Sequence, residues 1–132
     1  MVRYTAKNVT DFWITAGTLS LEVPDAWYDT DVNTLARICN GVGGEGSWLT
    51  GVLTTIYRHY QASAAIHDVC YAYGTPERAE ADAMLRRNML REWKARYGWA
   101  RWLVAAKERA KIEIAYFVVR RQGAPYYNEL AG

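Results

Sequence analysis

"AAIHDVCYAYGTPERAEADAMLRRNML", Ala64 to Leu90, is the stretch whose reading decides the fold class. Its only glycine and its only proline fall together, at Gly74 and Pro76, so it divides into two helical runs. The first spans about Ala62 to Tyr73 and stops at Gly74, because glycine accepts the left-handed backbone that follows a helix. Thr75 then caps a second helix with Pro76 at its first position. That helix is expected to continue to about Tyr97 and stop at Gly98. So short a connection makes the two helices antiparallel neighbours. In the second helix Asp82, Leu85, Met89 and Trp93 share one stripe at helical spacing. A carboxylate on an apolar stripe needs a partner. The neighbouring helix offers His67.

Working outward, a third helix is expected from about Ala100 to Arg121, closed by Gly123 with Pro125 beyond. Upstream, "FWIT" and "LSLEV" flank Ala16-Gly17, and Leu19, Leu21 and Val23 alternate with Ser20 and Glu22. That alternation predicts a small N-terminal β-hairpin, ended by Pro24-Asp25. "DTDVNTLARIC" predicts a short helix with Asp29 or Asp31 as its cap. Gly41 to Gly51 is too rich in glycine to read as anything but a loop. The expected fold is therefore mainly α: a long antiparallel helix pair, a third C-terminal helix, a glycine-rich loop and a small N-terminal β-hairpin.

The chain has 132 residues, which predicts one domain over 1–132, long enough to bury a core. Residues 39–90 hold the motifs, and 91–123 form a basic helical region. Hydrophobic residues make up 51% and charged residues 23%, which excludes a disordered chain. The formal net charge is only +2, so overall charge gives no reason to expect a nucleic acid partner. The charge is unevenly spread: Arg86 to Arg121 holds eleven Lys and Arg against three Glu, a net +8. Trp93, Trp99 and Trp102 lie among these cations, a mixture that suits an anionic membrane surface. At helical spacing such tryptophans also read as core, with the cations as their solvated reverse face, and most are expected to be core. Cys39 and Cys70 are the only cysteines, which is no disulfide framework. No signal peptide or membrane-spanning run is read, so the expectation is a protein cytoplasmic as synthesised, with later release or phage association left open.

A histidine held by a carboxylate acts as a general base near neutral pH. The other reading of His67 and Asp82 is a satisfied polar pair in the core. Asp68 projects about 100° around the helix axis from His67, so it can serve a metal while His67 moves protons. Calcium takes six to eight oxygens, backbone carbonyls among them. Asp68 with carbonyls from the segment Cys39 to Gly44 would make such a cage; the plainer reading is a surface aspartate beside a tight turn. Zinc lacks ligands, since His59 and His67 are the only histidines. Ser63 has no nucleophile-elbow pattern, and no Gly-Lys-Ser/Thr follows the glycines as a phosphate loop would need.

The order of these motifs resembles a known family. "CNGVGG" resembles the calcium loop of secreted phospholipases A2, "HDVCY" their active-site helix, and "EADAMLRRNML" the helix that carries an aspartate behind the histidine. The segment from Cys39 to about Leu90 is most similar to phospholipase-A2-like proteins of bacteriophages and bacteria. The resemblance implies calcium-dependent hydrolysis of the sn-2 ester of phospholipids at a membrane surface. It implies that His67 is the general base, Asp82 its orienting partner and Tyr71 a tyrosine bonded to that aspartate. It implies a calcium ion held by Asp68 and the backbone carbonyls of Cys39, Gly41 and Gly43. Asn40 and Ala64 stand where the secreted enzymes have a disulfide, so the loop must be held otherwise. The alternative from a different class is a non-enzymatic phage structural or assembly protein that keeps the helix pair as a scaffold.

Overall fold

The computed structural model describes residues 4–41 and 58–127. The protein is mainly α-helical, and no strand occurs among the described residues. In chain order the helices are α1 (Ala6–Thr18), α2 (Asp25–Asp29), α3 (Val32–Gly41), α4 (Gln61–Tyr73), α5 (Arg78–Tyr97) and α6 (Ala105–Gln122). A 3-10 turn, Gly98–Leu103, joins α5 to α6, and another, Ala124–Tyr126, follows α6.

α4 is the centre. Every residue from Ala62 to Ala72 is buried. Small and apolar residues around its whole circumference let helices pack on opposite sides. On one side Ile66, Val69 and Cys70 join Val9, Phe12, Trp27 and Leu35 from α1, α2 and α3. On the other, Ala64 joins Leu85, Met89, Trp93, Ile112, Ala115 and Val119 from α5 and α6. Large apolar side chains buried in this way each stabilise by about 1.5–3 kcal/mol. The stripe Asp82, Leu85, Met89, Trp93 faces this second cluster, and all four side chains are buried. Contacts between α4 and α5 run in opposite order along the chain: Tyr71 and His67 reach Asp82, whereas Ser63 reaches Glu92.

The N-terminal β-hairpin is not formed. "FWIT" lies inside α1, whose buried residues Val9, Phe12 and Ala16 recur at helical spacing. Thr5 caps that helix, its side chain accepting from the Asn8 N–H at 3.5 Å. "LSLEV" forms a turn at Leu19 and Ser20 and continues without regular structure to Pro24. Its alternation is real, but Leu19 to Leu21 bond back to the carbonyls of α1 and Glu22 bonds to a side chain rather than a strand. Asn88 on α5 accepts from the Glu22 N–H at 2.8 Å and donates to the Glu22 carbonyl at 2.8 Å. One amide thereby satisfies both backbone groups, as a neighbouring strand would.

Asp31 caps α3, accepting from the Thr34 N–H at 2.8 Å. α5 begins at Arg78, later than Thr75-Pro76 predicts. The Pro76 carbonyl is taken instead by the Tyr127 hydroxyl at 2.6 Å. Gly74 closes α4 in the left-handed conformation and Gly98 closes α5, both as expected. Of the three tryptophans in the basic region, only Trp93 is core; Trp99 and Trp102 are exposed. They sit on the turn between α5 and α6, outside either helix–helix contact.

Candidate active site

The lower ends of α4 and α5 meet at Asp82. One oxygen, Oδ1, accepts from His67 Nε2 at 2.8 Å and from the Tyr71 hydroxyl at 2.7 Å. His67 and Tyr71 are one turn apart on α4, so their rings stack side by side, centroids 4.3 Å apart. The other oxygen, Oδ2, accepts from Arg120 Nη1 at 2.9 Å, and Arg78 Nη1 stands 3.6 Å from it. His67 and Asp82 are 2% and 0% exposed.

Burial alone would raise the Asp82 pKa. Hydrogen bonds from His67, Tyr71 and Arg120 outweigh that effect and hold it below the ordinary carboxylate value. Asp82 is therefore ionised at neutral pH and can only accept. It follows that Nε2 of His67 carries the hydrogen that it donates to Asp82. The Tyr71 hydroxyl is pushed up by burial and by the carboxylate beside it, so it stays a donor.

Tyr71 is itself held on its far side. Tyr127 packs edge-on against it, centroids 5.4 Å apart. A Cβ added to Gly123 would lie 2.5 Å from the Tyr71 hydroxyl and 2.5 Å from the Val119 carbonyl. The exit from α6 thus needs a residue without a side chain, because the chain passes directly over the tyrosine.

One residue along α4, Asp68 is 4% exposed and has no hydrogen bond or ion pair among the described residues. Burial pushes its pKa well above the ordinary value, with no compensating donor among the described residues. The Cys39 thiol lies within electrostatic reach: burial raises its pKa, and the Asp68 charge raises it further. Asp68 therefore faces the end of α3, away from Asp82, as the turn of a helix between adjacent residues requires.

The expected calcium loop needs correction in part. Gly41 is not in a loop; it joins Cys39, the last residue of the expected short helix, in the final turn of α3. The Asp31 cap and the buried Leu35 and Ile38 carry that helix through to Gly41. A helix leaves its last carbonyls without intrahelical donors, so both backbone oxygens still suit a hard cation. Gly43 lies outside the described residues. Among the described residues no cluster of three or more His, Cys, Asp or Glu gathers as a metal site. The ligands that are present, one buried carboxylate and helix-end carbonyls, are hard oxygens, which fit calcium and not zinc.

Other candidates resolve into structural roles. Ser63 donates to Glu92 Oε1 at 2.5 Å, and its N–H donates to the same oxygen at 2.7 Å. Cys70 is fully buried and unbridged, and burial raises its thiol to about 12. The sequence reading missed Arg78, Arg120 and Glu92. Arg120 was counted only among the surface cations, although it adjoins the buried Val119. Glu92 falls one turn past Asn88 and Met89, at the edge of the stripe that drew attention to Asp82.

No family model, curated protein or solved structure matches the chain.

Proposed function

We propose that the protein hydrolyses the sn-2 ester of phospholipids in a calcium-dependent reaction, as a phospholipase-A2-like enzyme. The observation that carries the reading is a pairing of opposites on one helix. His67 is bonded to an ionised, fully partnered carboxylate, and the next residue, Asp68, is a buried carboxylate with no side-chain partner among the described residues.

In this reading His67 Nδ1 takes a proton from water as it attacks the ester carbonyl. Asp82 holds the ring in the tautomer that leaves Nδ1 basic, and its charge supports the imidazolium that forms. Tyr71 and Arg120 fix the carboxylate on both of its oxygens. Burial keeps the proton transfer out of bulk water. Asp68 and the carbonyls of Cys39, Gly41 and Gly43 would hold calcium. Bound there, the ion supplies positive charge for the substrate phosphate and for the oxyanion that develops. A phospholipid membrane surface is then the partner, and nucleic acid is not expected. No helix among the described residues is long and apolar enough to cross a membrane.

The test is fatty-acid release from mixed phospholipid vesicles, with calcium and with a chelator, for wild type and His67→Ala. Release that needs both calcium and His67 is the expected result. Release that survives His67→Ala would sink the assignment.

One observation favours a second reading, a non-enzymatic helical scaffold such as a phage structural or assembly protein. Asp82 has partners on both oxygens, and the Arg120 bond means it would be satisfied without any chemistry at His67. Under that reading no vesicle composition releases fatty acid, and calcium leaves the melting temperature unchanged.

A further inference from the structure

We infer that the outward face of α6, together with the turn that precedes it, docks on an anionic phospholipid bilayer. α6 has two apolar faces. Ile112, Ala115 and Val119 are buried against α5 and its neighbours. On the opposite side Ala106, Ala110, Ile114 and Phe117 follow one another at steps of four, four and three, and all are exposed. Phe117 is 60% exposed. The turn that leads into the helix adds further apolar groups, with Trp99 and Leu103 each 80% exposed and Trp102 also exposed. Large apolar groups grouped in this way are not the scattered exposures normal for a protein surface.

The surrounding charge selects the partner. From Arg91 to Lys111 the chain holds seven Lys and Arg and two Glu, and both of those, Glu92 and Glu108, are buried. Lys107, Arg109 and Arg121 on the same helix are exposed, as is Lys94 on α5. Arg121 lies over the Phe117 ring, 5.5 Å from its centroid. The exposed acid on this helix, Glu113, is already paired with Arg86 at 2.6 Å. A second copy of the chain would bring like cations face to face. A nucleic acid would match the charge but leave Ile114 and Leu103 without use. A bilayer with anionic headgroups takes both, cations at the headgroups and apolar side chains at the acyl boundary. This deepens the membrane reading above and rests on it for the class of partner, although no part of it uses His67.

Flotation with vesicles tests it, with chelator present so that no hydrolysis intervenes. Vesicles of phosphatidylcholine mixed with phosphatidylglycerol should carry the protein, pure phosphatidylcholine vesicles should not, and added salt should weaken binding. Trp99→Ser combined with Leu103→Ser, and separately Phe117→Ser, should each weaken binding by about tenfold or more. The melting temperature should hold, because these side chains are exposed. His67→Ala should bind like wild type, so a failed lipase assay leaves the docking result standing. No flotation with anionic vesicles overturns the inference, as does equal flotation of the variants. So does vesicle-independent self-association, or oligonucleotide binding without vesicle binding, that the same variants remove.

Discussion

Asp82 and Asp68 lie on packed neighbouring helices, are almost equally buried, and behave in opposite ways. Asp82 is surrounded by His67, Tyr71, Arg120 and Arg78, and its pKa is held down. Asp68 meets no donor among the described residues, and its pKa is driven up. Burial is common to both, so burial does not decide the charge state; the partners do. A complete carboxylate can orient a base. An incomplete one calls for a cation. The two also bend stability with pH in opposite senses. Asp82 has a folded pKa below its unfolded value, so its contribution is present above about pH 4 and is lost as pH falls through the folded value. Asp68 has a folded pKa above its unfolded value. Its cost is absent at low pH and grows as pH rises past about 4 toward the folded value.

The largest effect should come from breaking the complete side. Asp82→Ala leaves Arg120, His67 and Tyr71 without their common acceptor, and urea unfolding should show a loss of about 3–5 kcal/mol. Turnover should vanish with it. A stability change near zero would mean that Asp82 is not the centre of the network.

Changing the incomplete side should move stability the other way. In chelator at neutral pH, Asp68→Asn should raise the unfolding free energy by about 1–3 kcal/mol, because it removes a buried charge that has no partner among the described residues. The gain should shrink as pH falls toward 4, where wild-type Asp68 is protonated too. A loss of stability at every pH would show that Asp68 already has a partner.

Gly123→Ala sharpens the comparison by disturbing Asp82 without touching it. The new methyl meets the Tyr71 hydroxyl and the Val119 carbonyl, and overpacking of this kind costs about 1–3 kcal/mol. The His67 imidazole signals in an NMR spectrum should shift, and with only two histidines they are readily assigned. Unmoved His67 signals would count against Tyr71 as a support of the dyad.

Ser63→Ala should be the mildest change. Glu92 keeps the Ser63 N–H, so the loss should be about 1 kcal/mol, and turnover should be unaffected. Lost turnover in a folded Ser63→Ala protein would reopen Ser63 as a nucleophile.

The parts that were legible in the sequence are those set by local rules. Gly74 and Gly98 end helices because their backbone freedom is intrinsic, and the stripe from Asp82 to Trp93 is visible because its spacing is. Asp82 signalled a partner by being polar among apolar residues. The N-terminal segment misled for a reason of the same kind: alternation at Leu19, Leu21 and Val23 is a strand signal, but the group that answers it is Asn88, distant in sequence and on a helix. Arg120 was hidden by its basic neighbours, since composition cannot tell which of eleven cations turns inward. Gly41 reads as loop because glycines follow it, whereas the helix capped by Asp31, expected to end at Cys39, runs on to include it.

The most direct measurement is a calorimetric titration of calcium into wild type, His67→Ala and Asp68→Asn. The account predicts binding to wild type and to His67→Ala, and none to Asp68→Asn. Equal binding by Asp68→Asn, or no binding by any of the three, would contradict it.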